Sequence, residues 1–203
     1  MNRGLAVVLT TAMLAVPGYV SAQTAWDSPL LMPPQASDGF GIFLTDMHRG
    51  GVGVMGTWRS PVWNYGLRAG ISDGSGTEDL AIFGGIDYSG VINTATADFP
   101  VDVDWVFGIG AGISDGVRVS APLGLTAGYG FQAEGARFTP YITPRVVLDA
   151  IFGDEESTLD MDVAADIGLD LRFTSAGGPF AGMTIRFAAT LGDRNAIGLG
   201  LVF

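Results

Sequence analysis

Aspartate and arginine are the residue types in this chain that could do chemistry, and both recur at every second position of apolar stretches. The clearest case is residues 160–173, whose charged residues are Asp160, Asp162, Asp166, Asp170 and Arg172. Carboxylates and guanidinium groups on one face can form ion pairs, line an ion pathway or, where two carboxylates meet, exchange protons. Charges away from bulk water must be paired or hydrated, so their surroundings decide which chemistry is possible.

Histidine chemistry has one candidate, because His48 is the only histidine in the chain. It lies in Asp46-Met47-His48-Arg49, without a nucleophile motif around it. A histidine base acts beside a nucleophile or a carboxylate, whereas a lone histidine in a turn is usually solvated. We therefore predict no catalytic residue and no enzyme.

Metal and cofactor chemistry is not predicted either. The chain has no cysteine, so neither a disulfide framework nor a thiolate metal site can form. The acidic run at 154–156 offers oxygen ligands, but its spacing is not that of an EF-hand loop. We interpret it as a solvated charge run.

The elements that must position the charged residues are predicted to be β-strands. From residue 38 onward, apolar and polar residues alternate with period two, as in strands with two different faces. The ten predicted strands are 38–47, 50–59, 62–72, 77–89, 101–114, 117–132, 137–151, 160–173, 179–191 and 194–203. Runs of fourteen to sixteen alternating residues exceed the usual soluble strand of about five or six residues and suit a tilted membrane strand.

Aromatic residues mark one end of each predicted strand. If the strands alternate in direction, that end carries Phe40, Trp58, Trp63, Tyr88, Trp105, Phe131, Phe138, Phe173, Phe180 and Phe203. Aromatic rings collect at membrane interfaces, because one side of the ring is apolar while a polar group can stay hydrated. The pattern predicts an all-β fold, a transmembrane antiparallel up-and-down β-barrel of ten strands, with eight as the alternative.

The last predicted strand alternates apolar with small residues and ends on an aromatic one. Leu199, Leu201 and Phe203 share one face, and Gly198, Gly200 and Val202 the other. This stretch resembles the closing strand of bacterial outer-membrane β-barrels of the small porin-like and OmpA–OmpX-like kind. The resemblance implies that Phe203, Leu201 and Leu199 form the signal read by the barrel-assembly machinery. It also implies outer-membrane lipid and lipopolysaccharide as surroundings.

The front of the chain is predicted to be processed. Residues 1–22 have the charged start, apolar stretch and small-residue cleavage site of a secretory signal peptide. Residues 23–37 contain three prolines and are interpreted as an extended periplasmic lead-in to the barrel at 38–203. A short plug inserted into the barrel base is the alternative. The formal net charge of −11 argues against nucleic acid as a partner.

The strand faces opposite the apolar ones would line the lumen of the barrel. The charged residues predicted there are Arg68, Asp79, Asp87, Asp102, Asp104, Arg118, Arg145, Asp149, Asp160, Asp162, Asp166, Asp170, Arg172 and Arg186. They fit a salt-bridged, hydrated interior that fixes the register, or a narrow pathway that favours cations because aspartate is in surplus. Inward glycines at 108, 110, 112, 124, 128 and 130 fit either an unobstructed path or close packing.

The sequence thus predicts an integral outer-membrane β-barrel protein of Gram-negative type, monomeric, with a structural role or a narrow, weakly cation-favouring pore. The alternatives are a surface-binding or envelope-anchoring module and, less favoured, an outer-membrane lipid-modifying enzyme. The predicted outer turns are short, which counts against adhesion or siderophore capture.

Overall fold

The computed structural model describes residues 25–47, 51–73, 80–114, 116–152, 157–174 and 181–203. Regular structure in this part is all β: β1 (Gly39–Met47), β2 (Gly51–Arg59), β3 (Tyr65–Asp73), β4 (Leu80–Asn93), β5 (Asp102–Ile113), β6 (Val117–Gly128), β7 (Phe131–Ala133), β8 (Ala136–Phe152), β9 (Thr158–Phe173), β10 (Thr184–Gly192) and β11 (Ala196–Val202). These residues include no helix long and apolar enough to cross a bilayer. The predicted signal peptide, His48, Asp79, the run 154–156 and Phe180 lie outside the described residues.

Ten of these strands close into an antiparallel barrel. Each strand from β1 to β6 pairs with its successor, β6 pairs with β8, and β8 to β11 follow in order. Pairing of β11 with β1 closes the ring. β7 is a short extension that pairs only with β8. The predicted up-and-down architecture and the count of ten are confirmed.

Several strand bounds differ from the predicted ones: β4 extends to Asn93 rather than to residue 89, β10 begins at Thr184 rather than at residue 179, and β3 and β6 differ as well. β3 begins at Tyr65 rather than at residue 62, because the Ser60 hydroxyl accepts hydrogen bonds from the backbone N–H groups of Val62 and Trp63. The predicted strand 117–132 is divided, with β6 ending at Gly128 and β7 beginning at Phe131. The remaining strands keep the predicted order and alternation.

The two faces of the barrel wall differ as the period of two requires. On β1, Phe40, Ile42 and Leu44 are exposed on the outside, whereas Phe43 and Thr45 are buried inside. β11 repeats this, with Ile197, Leu199 and Leu201 exposed. Exposed large apolar side chains continue around the outer surface on the other barrel strands. The outside of the barrel is therefore an apolar belt.

Aromatic residues gather at the end of the barrel where Gly39 enters β1. We call this the proximal end, and the opposite one the distal end. Phe40 pairs with Trp58, Tyr65 with Tyr88, and Phe131 with Phe138, all at the proximal end. The Trp58 and Tyr65 rings lie 5.7 Å apart, and the Phe131 and Phe138 rings stack at 5.4 Å. Trp63 lies in the β2–β3 turn rather than in a strand.

Residues 26–34 lie inside the barrel, and we call them the plug segment. Trp26, Leu30, Leu31 and Met32 are 1–3% exposed. Trp26 lies beside Gly85 of β4 and Gly108 and Gly110 of β5, whereas Pro34 lies beside Gly128 at the proximal end of β6. Of the two interpretations of residues 23–37, the structure thus supports the inserted plug rather than a lead-in outside the barrel. Burial of these apolar side chains is the physical reason.

The inward glycines make room for the plug segment and for close strand packing. A Cβ atom at Gly108 would lie 2.7 Å from the Trp26 ring, and one at Gly128 would lie 2.8 Å from Pro34. A Cβ atom at Gly124 would lie 2.7 Å from that of Arg145 on β8. These glycines do not leave a path free of side chains, because other side chains occupy the space.

The packing of Trp26 against the barrel wall can be tested with a double-mutant cycle of Trp26 and Gly85. The three atoms nearest to a Cβ at Gly85 all belong to the Trp26 ring. Gly85→Ala should therefore destabilise the protein by about 1–3 kcal/mol through overpacking. In a Trp26→Ala background, which by itself should cost about 3–5 kcal/mol, the Gly85→Ala cost should vanish. Denaturant unfolding in detergent micelles measures both costs, and equal costs in the two backgrounds would contradict the packing described.

Candidate functional site in the barrel lumen

The structure brings most of the predicted charged residues together inside the barrel. Buried there are Arg68, Asp87, Asp102, Asp104, Arg145, Asp149, Asp166, Asp170 and Arg186. Arg118 and Asp162 are partly buried, with side chains 14% and 16% exposed. Asp79 lies outside the described residues.

Asp160 and Arg172 lie at the rims of the barrel rather than in the enclosed lumen, and both are exposed. Pairing of β9 with β10 begins at Ala164, so Asp160 projects beyond its neighbour at the distal end. Arg172 pairs with Thr184, the first residue of β10, at the proximal end. Both occupy the same alternate positions of β9 as the inward-facing residues. Alternation along a strand specifies which face a side chain is on, but not how far it lies from the end of the barrel.

The centre of the lumen is an ion-pair cluster built on Asp27 of the plug segment. The Asp27 carboxylate contacts Arg145 of β8 on one side, and its Oδ1 atom lies 2.6 Å from Nη1 of Arg194 on the other. Arg145 also binds Asp166 of β9, with 2.7 Å between Nε and Oδ2. The side chains of Asp27, Arg145 and Asp166 are fully buried. The plug segment is thus tied to β8 and to the turn before β11 through one carboxylate.

The cluster continues toward the distal end through Arg194. This guanidinium contacts Asp149 and lies 3.0 Å from Oδ2 of Asp162. Arg118 binds the same Asp149 carboxylate at 2.9 Å. The Ser120 hydroxyl donates a hydrogen bond to Asp149 as well. Asp27, Asp149 and Asp162 are therefore each shared between two arginines, which compensates part of the cost of removing these charges from water.

The ionisation of Asp27 follows from these contacts. Burial by itself would raise the pKa of the Asp27 carboxyl, but the guanidinium groups of Arg194 and Arg145 outweigh it and hold that pKa below its ordinary range. The carboxylate therefore stays charged at neutral pH and keeps both ion pairs.

A second cluster lies closer to the proximal end. Arg68 of β3 binds Asp87 of β4 at 2.8 Å, and Arg59 of β2 binds the other oxygen of this carboxylate at 2.5 Å. Arg186 of β10 holds Asp170 of β9 in a two-pronged contact, with both distances 2.8 Å. The Arg68–Asp87 and Arg186–Asp170 pairs join neighbouring strands, whereas the Arg59–Asp87 pair reaches from β2 past β3 to β4.

The same arginines also bind the plug segment. Arg186 donates a hydrogen bond to the carbonyl oxygen of Leu31 at 3.0 Å, and Arg68 donates one to that of Pro29 at 3.4 Å. The Arg68 guanidinium lies 5.3 Å from the Trp26 ring centroid, within the range of a cation–π interaction. The wall therefore satisfies backbone groups of a segment that forms no strand.

Asp102 and Asp104 at the proximal end of β5 are held by uncharged donors. The Gln35 side chain donates to Asp102, and the Gln35 backbone N–H donates to Asp104, both at 2.8 Å. The Ala95 N–H donates to Asp102 as well. Neither carboxylate is within 4 Å of an arginine in the described part of the chain.

Three charged residues of the lumen were missed by the sequence prediction. Arg59 and Arg194 have the same parity as inward residues of β2 and β11, so the period-two pattern could have identified them. Asp27 lies outside every alternating stretch. Its only signal is its place between apolar residues of a proline-rich segment that the barrel could enclose.

The chemistry that this arrangement shows is charge pairing between aspartate and arginine. In the described residues no group of three or more Asp, Glu or His side chains is placed to hold a metal ion. A space of about 30 Å³ remains beside Leu31, Phe43 and Arg68, which is room for about one water molecule. The plug segment and the ion pairs thus fill the part of the lumen in which they lie.

The sequence matches no known protein-family model, no curated protein and no solved structure.

Asp166 and Asp160 provide a matched test of the site, since both were predicted to face the lumen from one strand. Asp166→Asn should destabilise the protein by about 3–5 kcal/mol, because the buried Arg145 loses one of its two charged partners. Asp160→Asn should change stability by less than about 0.5 kcal/mol, because this carboxylate is exposed. Denaturant unfolding of the two variants measures the difference, and equal costs would contradict the placement of the two residues.

Proposed function

We propose that this chain is an integral outer-membrane β-barrel protein with a structural, non-conducting role. The observation that carries the proposal is the combination of an apolar outer belt with a charged, filled interior. The proposal includes a bacterial outer membrane as its location and no enzymatic activity.

The outer belt supports a position in lipid. Monomeric soluble proteins rarely expose contiguous apolar patches larger than a few hundred Å². Here residues such as Ile42, Leu125, Ile167 and Leu199 are 48–59% exposed on four different strands of one closed surface. A closed barrel satisfies every backbone hydrogen bond between its strands, which is the requirement for crossing a bilayer with strands. The proximal aromatic residues suit one membrane interface.

The filled lumen supports a structural role over a pore. Opening a path would expose Trp26, Leu30, Leu31 and Met32, each of which contributes about 1.5–3 kcal/mol through burial. It would also separate Asp27 from two arginines. Free energies of this size keep the open state to a very small fraction of the molecules, so the plug segment is seated nearly all the time.

The closing seam supports a role for the C-terminal strand in assembly. The Phe203 N–H donates a hydrogen bond to the Phe40 carbonyl oxygen at 2.8 Å, at the proximal end of the β1–β11 pairing. Leu199, Leu201 and Phe203 are exposed on the outer surface of this seam. We propose that the barrel-assembly machinery recognises this face, and that the folded protein is a monomer surrounded by lipid and lipopolysaccharide.

Membrane insertion tests the proposal. The refolded full chain should float with phosphatidylcholine vesicles and resist protease, while deletion of Phe203 should slow insertion, because the seam loses its last hydrogen bond and its aromatic anchor. Phe203→Trp is the matched control and should insert like the unchanged protein. Recovery of a folded, monodisperse protein that stays in the aqueous fraction without detergent would contradict the membrane location.

A further inference from the structure

Three prolines lie within the strands of the barrel wall, and all three adjoin β6. Pro122 belongs to β6 itself, whereas Pro140 and Pro144 belong to its neighbour β8. The described strands contain no other proline. Because proline has no backbone N–H, it normally occurs only at sheet edges or bulges. β6 has a neighbour on each side, so these prolines weaken the wall around one of its inner strands.

The pairing of β6 with β8 is interrupted where Pro144 lies. Gly124 pairs with Arg145, and Ala127 pairs with Ile142, but the two positions between them are not paired. The register is the same on both sides of this interruption. The missing pairs are those that need a backbone N–H at Pro144, so the proline removes a hydrogen bond without shifting the strands.

β6 loses hydrogen bonds at two further points. The Tyr129 N–H donates to the Pro140 carbonyl oxygen at 3.1 Å, but Pro140 has no N–H to return the bond. On the other side of β6, the pairing with β5 is interrupted around Pro122. We call the facing stretches 124–129 and 140–145 the proline seam. Pairing of β8 with β9 continues past both of its prolines, so the weakness belongs to β6.

Ion pairs fasten the same two strands only beyond the proline seam. At the distal end of the barrel, Arg118 of β6 binds Asp149 of β8 at 2.9 Å. Residues 119–130 include no charged residue, so β6 offers no ion pair to β8 along the proline seam. β6 is therefore anchored at one end and more weakly held at the other.

Neutral hydrogen bonds close the proline seam at its centre. The Thr143 hydroxyl lies 2.9 Å from the Thr126 hydroxyl across the interruption, and 3.4 Å from the carbonyl oxygen of Met32 in the plug segment. Such bonds contribute less than charge-assisted ones. The two threonines thus act as a latch between β6, β8 and the plug segment.

Apolar side chains lie on both sides of the proline seam. Outside, Leu125 is 49% exposed within the apolar belt. Inside, Val106 of β5 is directly opposite Gly124, which has no side chain to cover it. Val106 forms a buried cluster with Leu30 and Met32 of the plug segment. A molecule that passed between β6 and β8 would therefore meet apolar groups before and after the wall.

We propose that the proline seam opens sideways and admits an acyl chain of a lipid to Val106 and Met32. β6 is the strand that moves, because Arg145 holds β8 to Asp27 of the plug segment and to Asp166 of β9. An acyl chain keeps the exposed cluster out of water, whereas an ion would gain no partner there. Opening needs only the folded barrel, while the lipid as source of the chain rests on the membrane location proposed above.

Amide hydrogen exchange of the refolded full chain in dodecyl maltoside micelles tests the opening. Residues 123–129 should exchange at least about tenfold faster than the middle of β1 and β11, because exchange follows local opening. Pro144→Val gives the Leu125 carbonyl oxygen a donor and should slow this exchange about twofold to tenfold, the effect of one hydrogen bond. Pro61→Val in the β2–β3 turn is the matched control and should change nothing. Equal protection of 123–129 and β1, or no slowing by Pro144→Val, would overturn the proposal.

A disulfide across the proline seam tests the same movement independently. Thr126 and Thr143 face each other, and the chain has no cysteine, so Thr126→Cys with Thr143→Cys creates one possible disulfide. Oxidation, verified by mass spectrometry, should slow exchange of residues 123–129 to the level of β1, and reduction should reverse this. Equally fast exchange in the oxidised and reduced protein would show that the opening lies elsewhere.

Thiol labelling in the same micelles tests what the opening admits. Val106→Cys places a thiol behind the proline seam, and Met55→Cys is the matched control on β2, since both original side chains are 1% exposed. N-cyclohexylmaleimide, an apolar reagent, should label the first thiol at least about tenfold faster than the second, and Pro144→Val should reduce this preference. A trimethylammonium-bearing methanethiosulfonate should label the two thiols equally slowly.

Two outcomes of the labelling would overturn the acyl-chain site. The same preference with the charged reagent would show a water-filled opening, and no preference with the apolar reagent would show that Val106 stays covered. Vesicle flotation tests the membrane location on separate samples. A failure of the proline seam and a failure of the proposed location are therefore distinguishable.

Discussion

The buried contact of Asp27 with Arg145 and Arg194 is the interaction on which the rest of the structure depends. The Asp27 carboxylate could not remain charged in this interior without these guanidinium groups, because an unpaired buried charge costs several kcal/mol. Asp27 belongs to no strand, so its position is fixed only by these contacts and by the apolar side chains around it. It therefore joins the plug segment, β8 and the turn before β11 into one core in the middle of the lumen.

The same constraint explains the small residues of the inner wall. Eight strands enclose a lumen that side chains can fill, and additional strands leave space that needs another occupant. Here a stretch of the chain itself is that occupant, and Gly85, Gly108 and Gly110 admit its Trp26 ring. A side chain at these positions would have to displace the ring. The glycines and the plug segment thus depend on each other.

The sequence predicted the barrel wall well and its contents poorly, for a physical reason. Period-two alternation records which face of a strand points outward and which faces the lumen, so the ten strands and the inward position of Asp166 or Arg186 could be read from it. Alternation does not report depth, so it could not distinguish Asp160 and Arg172, which lie at the rims, from residues deeper in the lumen. The plug segment has no period, since its residues are buried on all sides and satisfy their backbone through side chains. Asp27 could therefore be located only in three dimensions.

Single-channel recording across a planar bilayer, with the refolded protein and a salt gradient, examines the closed lumen itself. We expect the inserted protein to be electrically silent, because the plug segment is held by buried apolar side chains and by both ion pairs of Asp27. Insertion is verified on the same sample by vesicle flotation, so the absence of current can be attributed to a closed lumen rather than to failed insertion. Stable, discrete current steps with a preference for cations would contradict a permanently seated plug and would establish the narrow pore instead.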